Sequence, residues 1–155
     1  MMQKDNSLKY IAFVCTGNTC RSPMAEGIFN QKAEEQGLDV RAVSFGMAAV
    51  AGMPPSQNAV EVCREIGVDI SGHQSHFIYD FEIADFEKIY CMSQEHAMIL
   101  NQSIGYPLEK IEVLNVADPY GGGVEIYRMC RDIITTCVDE IIYSLRKAAT
   151  AEGTQ

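Results

Sequence analysis

The stretch Ile11-Ala12-Phe13-Val14-Cys15-Thr16-Gly17-Asn18-Thr19-Cys20-Arg21-Ser22-Pro23-Met24-Ala25-Glu26 decides how the chain is read. An apolar run stops at Cys15, and a helix start follows seven residues later at Ser22, so the order is strand, loop, helix. The loop holds one glycine and closes on an arginine, which lets successive backbone N–H groups curl around a small anion. Gly17 reaches φ > 0 without steric cost, and Asn18 tolerates a left-handed backbone. Ser22 is expected as the helix N-cap with Pro23 at the first helical position, turning the positive helix end, roughly half a unit charge, toward the loop. Anions collect at such ends. Arg21 adds a permanently charged planar fork that matches two phosphate oxygens. Cys15, ringed by donors and positive charge, is expected as thiolate rather than thiol. The plain alternative is a buried cysteine before an ordinary strand-to-helix turn, and the residue types around it count against that.

Composition narrows the classes. The chain has 155 residues, 47% hydrophobic and 21% charged, which suits a single domain, residues 1–155, with a full core. No run of eighteen apolar residues occurs, and Met1 to Lys9 is short and polar, so a cytoplasmic protein without membrane partners is expected. The cysteines at 15, 20, 63, 91, 130 and 137 lack Cys-x2-Cys spacing, which favours reduced thiols over a zinc site or a disulfide framework. No metal and no cofactor are expected. The net charge of −9 argues against nucleic acid and anionic membrane, whose phosphates call for a basic surface. That charge also repels an anionic substrate at long range, but screening over about 8 Å leaves the amides and Arg21 to act at contact.

Along the chain, residues 9–14 read as a strand buried on both faces. Residues 22–36 read as a helix with Ala25, Ile28, Phe29 and Ala33 inward and Gly37 as its stop. A second strand is expected over 39–44, and a glycine- and proline-rich loop over 45–56 that forms one wall of the site. A helix follows over 56–66 with Ala59, Val62, Cys63 and Ile66 inward. A short helix is placed at 80–84, a third strand at 86–92, a helix over 94–101 after Ser93 as N-cap, and a fourth strand at 111–114. The longest helix, 124–149, carries the stripe Tyr127, Cys130, Ile134, Cys137, Ile141 and Leu145, and residues 151–155 read as frayed. Four β-α alternations indicate a doubly wound α/β domain, a four-stranded parallel sheet with helices on both faces, where ligands bind beyond the carboxyl ends of the strands. Cys15 lies at such an end. A carboxylic acid above the loop could protonate a leaving group, and Asp118 follows a strand in a turn set by Pro119 and the glycines 121–123. Asp-Pro after a strand is equally an ordinary turn signal.

Cys-Thr-Gly-Asn-Thr-Cys-Arg-Ser-Pro-Met-Ala-Glu, together with Asp118-Pro119-Tyr120, resembles the signature and acid loop of the low-molecular-weight protein tyrosine phosphatases over nearly the whole chain. The resemblance implies hydrolysis of a phosphorylated protein through a phosphocysteine on Cys15, with Asp118 as general acid and then base. Phosphate or another oxyanion would sit among Thr16, Gly17, Asn18, Thr19, Cys20 and Arg21, with Tyr120 as an aromatic wall. It also implies that Ser22 donates to the Cys15 thiolate, that Ser44 and His73 hold Asn18, and that Cys20 forms a reversible disulfide with Cys15. His73 can also be read as a surface-loop histidine; His76 and His96 read as structural or exposed.

The family divides over substrate. Phosphotyrosine is the broader class, but Thr19 and the Ile126-Tyr127 pair resemble the bacterial protein-arginine phosphatases of the same family. Thiol-linked arsenate reductase shares the fold and the loop but needs two further cysteines. Cys91 stands near the first relay position, and Met98 occupies the place of the second. A phosphate-binding module without catalysis would not need Cys15, Arg21 and Asp118 together.

Overall fold

Strand β1, Lys9–Cys15, shows why an unbroken apolar run was needed. Successive side chains of a strand point to opposite faces. Ile11, Phe13 and Cys15 enter one hydrophobic cluster, and Tyr10, Ala12 and Val14 enter the other. Both faces are covered, so no polar residue is tolerated between. The computed structural model describes residues 7–153; residues 1–6 and 154–155, including part of the short polar start and of the end read as frayed, lie outside the described residues.

Helix α1, Arg21–Glu35, returns the chain to β2, Val40–Gly46. The helix ends where Gly37 takes φ 66, with Gly37 N–H donating to Glu34 O and Leu38 N–H to Ala33 O. This is a Schellman closure that an L side chain would strain. Next come α2, Gln57–Arg64, two single 3-10 turns at Ile78–Asp80 and Ile83–Asp85, and β3, Lys88–Cys91. Helix α3, Gln94–Met98, runs into a π turn at Ile99–Ser103, and after β4, Ile111–Val113, the long α4 spans Val124–Gly153.

The sheet is parallel throughout, in the order β2-β1-β3-β4. The chain leaves β1 to one side to make β2 and returns past β1 to make β3. A crevice therefore opens at the carboxyl end of β1, the topological switch point at which α/β sheets bind ligands. Helices α1, α2 and α4 share one cluster, built on Phe13, Met24, Phe29, Val62 and Ile134. Helix α3, the π turn and the 3-10 turns cover the opposite face, with Ala97, Leu100, Ile78 and Phe86 in one cluster with Phe45 of β2. Among the described residues no helix is long and apolar enough to cross a membrane.

Several local expectations are corrected. The N-cap of α1 is Cys20 rather than Ser22, without a side-chain cap bond, so Ser22 and Pro23 lie inside the first turn. The left-handed residue of the loop is Asn18, φ 57, and not Gly17. Phe45 and Gly46 belong to β2 instead of the following loop, because they continue the pairing with Val14 and Cys15. Ile66, expected inward, is 39% exposed because α2 stops at Arg64 and the chain turns at Gly67. The helix expected over 80–84 is two 3-10 turns. The helix expected over 94–101 is regular only to Met98, and the longest helix runs to Gly153, past its expected end at Ala149 and into the stretch read as frayed. On α4 the inward stripe passes through Val138 and Ile142, both buried, while Cys137 and Leu145 are only partly buried, as the 3.6-residue period drifts from the expected spacing.

Candidate active site

The loop between β1 and α1 is held by a polar cluster that begins at Asn18, which is wholly buried. Its Nδ2 donates to Ser22 Oγ at 2.8 Å and to Ser44 Oγ at 2.9 Å. Its Oδ1 accepts the His76 N–H at 2.8 Å, and its backbone carbonyl accepts from His73 Nε2 at 3.1 Å. A carbonyl can only accept, so the His73 proton sits on Nε2; burial, the largest cause, lowers the His73 pKa and keeps the ring neutral. Strand β2 supplies Ser44, and the 73–77 segment is pinned to the end of β2 by Gly46 N–H donating to His76 O at 2.9 Å.

Ser22 Oγ lies 2.8 Å from Cys15 Sγ. Because Asn18 already donates to that oxygen, the Ser22 hydroxyl proton is free to point at the sulfur. Ser44 uses its own proton on Glu26 Oε1 at 2.7 Å. Glu26 was missed in the sequence, although its position four residues after Ser22 places it on the same helical stripe. Burial pushes its pKa up to about 7 from 4.5, with the Ser44 hydrogen bonds opposing.

Gly46 packs directly beneath the loop. A Cβ there would lie 2.5 Å from Thr16 O and 2.9 Å from Asn18 N. Met47 N–H and Ala48 N–H then donate to Cys15 O and Thr16 O, so the segment after β2 is stitched to the loop backbone; it braces the loop, and none of residues 45–56, expected as a wall, lines the loop's cavity. From the other side, Leu114 and Val116 continue the β4 pairing by donating to Cys91 O and Met92 O. This places Val116 O where Arg21 Nη1 donates to it at 3.0 Å, and Arg21 is 6% exposed. Arg21 Nη2 is 3.7 Å from Asp118 Oδ2, and Asp118 Oδ1 accepts the Tyr120 N–H at 3.0 Å. The Asp118 side chain is half exposed and Tyr120 stands out at 83%.

Cys15, Thr16, Gly17, Thr19, Cys20, Arg21, Asp118 and Tyr120 together line one cavity of about 230 Å³. Larger hollows lie elsewhere, one of about 680 Å³ beside the end of α4, but they hold none of these groups. The second loop thiol, Cys20, bonds to Ser56 Oγ at 3.5 Å and to Tyr127 OH at 3.3 Å. Ser56 caps α2 and its N–H donates to Thr19 O at 2.8 Å. Burial pushes the thiols of Cys63, Cys91 and Cys130 up to about 12 and raises Cys137 as well, so none of these four is a nucleophile at neutral pH. The two relay thiols of an arsenate reductase are not assembled: Cys91 is a core residue of β3, and Met98 is a half-exposed side chain on α3. His96, read as structural or exposed, is buried with Nε2 3.0 Å from Thr16 Oγ1. His76 is about half exposed and faces Asp80. No cluster that could hold a metal occurs among the described residues.

A sulfur, a buried guanidinium and a carboxylate line one cavity at the switch point of a parallel sheet, which suits an α/β protein that handles phosphate. Residues 10–151 match the family model for low molecular weight phosphotyrosine protein phosphatase. The chain is 32% identical over 146 residues to a protein-arginine-phosphatase of Bacillus subtilis, spanning 88% of this chain and 97% of that one. It is 30% identical over 151 residues to the low molecular weight protein-tyrosine-phosphatase YfkJ of the same organism, spanning 88% and 96%. The crystal structure of a low molecular weight protein tyrosine phosphatase from T. tengcongensis superposes with a TM-score of 0.84 at 36% identity, covering 88% and 99%. The chain belongs to the low-molecular-weight protein tyrosine phosphatase family.

Two outcomes follow from this geometry. Glu26 binds its proton more tightly folded than unfolded, so its share of stability is full below about pH 4.5 and is lost as pH rises to about 7. Above that, an ionised Glu26 costs up to about 3 kcal/mol. Glu26→Gln, which mimics the protonated acid, should gain on the wild type by about 5–10 °C in Tm between pH 5 and pH 8; a constant difference across that range would refute it. Gly46→Ala should keep the circular dichroism of the fold yet lower kcat/KM on an aryl phosphate on the order of 100-fold, because the loop must move; unchanged kinetics would mean that the loop tolerates the displacement.

Proposed function

We propose that the protein hydrolyses phosphorylated protein side chains through a phosphocysteine on Cys15. The observation that carries this is the convergence of Cys15, Arg21 and Asp118 on one small cavity. The loop amides and Arg21 take the phosphoryl oxygens, and the Cys15 thiolate attacks phosphorus on the side opposite the leaving group. Asp118, held over the cavity by the Tyr120 N–H, gives its proton to the departing oxygen or nitrogen. Water, deprotonated by Asp118, then attacks phosphorus and expels the sulfur, whose returning charge meets the Ser22 hydroxyl. Thr16, Gly17, Asn18, Thr19 and Cys20 supply the cradle backbone, and Ser44 and His73 keep its shape.

Phosphotyrosine is the substrate that the family description names. Phosphoarginine is a second reading, favoured by the hydroxyl-bearing Thr19 in the cavity lining and by relatives named protein-arginine-phosphatase. Tyr120 can stack on either a phenyl ring or a guanidinium plane and does not separate them.

Cys15→Ser should bind phosphate and turn over nothing, and Asp118→Ala should slow poor leaving groups far more than good ones in a series of aryl phosphates. Turnover by Cys15→Ser, or an equal loss across the series, removes the residue concerned from the mechanism. Rates on phosphotyrosine and phosphoarginine peptides, measured side by side, decide the substrate. If phosphoarginine is preferred, Thr19→Ile should reverse the ratio by about tenfold or more, a difference of roughly 1.4 kcal/mol; a ratio that Thr19→Ile does not move rules out Thr19 as the selector.

A further inference from the structure

The loop is anchored from the β2 side through Asn18, and a second anchor reaches it from the β3 side. His96, 5% exposed, places Nε2 3.0 Å from Thr16 Oγ1 and Nδ1 3.0 Å from Ser93 Oγ. Ser93 is the N-cap of α3, and its oxygen accepts the His96 N–H at 3.5 Å. That leaves the Ser93 hydroxyl proton, which His96 Nδ1 at 3.0 Å is placed to accept. With the Ser93 proton on Nδ1, the neutral ring holds its own proton on Nε2 and donates it to Thr16 Oγ1. Burial first, and Arg21 second, lower the pKa of His96 and favour that neutral ring, with Glu95 and Asp118 opposing.

The consequence falls on Thr16. Its oxygen is used as an acceptor, so its own hydroxyl proton is not spent on His96. Thr16 is exposed and lines the cavity that holds Cys15 and Arg21. With the opposite tautomer, Thr16 would give its proton to His96 and offer only lone pairs, which an oxyanion repels. We propose that His96, oriented by Ser93, is a positioning residue that makes the Thr16 hydroxyl an additional donor to the phosphoryl oxygens in the loop. This rests on the reading of the cavity as a phosphate site, and it adds a side-chain donor to the amide cradle.

The test uses the full chain and inorganic phosphate, with binding read by titration calorimetry. Thr16→Val keeps the shape and removes the hydroxyl, and it should weaken phosphate about tenfold, the scale of one hydrogen bond to a charged group. His96→Ala should weaken it to the same degree. His96→Gln, whose amide N–H can stand in for Nε2–H, should return to within about twofold of the wild type. The Thr16→Val/His96→Ala double variant should bind no more weakly than either single one, since both cut the same connection. Unchanged affinity in Thr16→Val, multiplying effects in the double variant, or a glutamine no better than alanine would each overturn the proposal. If His96→Ala does not fold, Thr16→Val and His96→Gln decide alone. A wild type that binds phosphate but never turns over an aryl phosphate defeats the catalytic reading and leaves this one standing; normal turnover with Thr16→Val binding phosphate as the wild type does defeats this one alone.

Discussion

The site depends on a buried carboxamide in a left-handed backbone. Asn18 combines φ 57 with full burial, so each of its polar groups must find a partner inside the protein. Its side chain spends both donors on two serines, and its acceptors take a backbone amide and an imidazole. Glycine could supply the backbone angle but none of the side-chain bonds. Most other residues would resist the angle by about 1 kcal/mol or more. Three separate segments, α1, β2 and the 73–77 stretch, are thus tied to one residue, and these ties hold the loop in shape.

The sheet order explains why the ties can be made. Because β1 lies between β2 and β3, its carboxyl end is flanked on one side by Gly46 and the segment around His76, and on the other by α3 and the chain that follows β4. The side chain omitted at Gly46 admits the loop backbone, and the pairing that continues past β4 brings Val116 under the guanidinium. With one end of Arg21 fixed to a carbonyl, the fork is oriented in advance, so little ordering remains to be done when an anion arrives. The carboxylate of Asp118 stays half exposed at the same cavity.

The parts of this design written in contiguous residues were legible. The apolar run, the small loop, the arginine and the helix after it stand within sixteen positions, and the alternation of strands and helices gave the four-stranded parallel sheet. What stayed hidden depends on contacts between distant positions. Ser22 reads as an N-cap by its neighbours, but the helix begins at Arg21, after Cys20, and the serine hydroxyl turns to the sulfur. Gly17 was the reasonable choice for a left-handed residue until the partners of Asn18 were in view. The roles of Glu26, Gly46 and His96 rest on Ser44, Thr16 and Asn18, residues at least eighteen positions away that the helical spacing from Ser22 or Ser93 does not point to. Val138 and Ile142 are buried while Cys137 and Leu145 only pack against the edge of the core, because a stripe counted in steps of three and four slips over a thirty-residue helix.

The linkage of Cys15 to partners spread along the chain has a consequence for biosynthesis. Polypeptides emerge from the ribosome amino terminus first, and the loop leaves well before Ser44, His73, His96 or Val116 exist. Until those residues are made, the thiol has a flexible peptide around it instead of a cradle, and contacts of such long sequence separation form late. Cys15 is translated early and its surroundings late, so a nascent or truncated chain carries the sulfur without the contacts that enclose it in the fold.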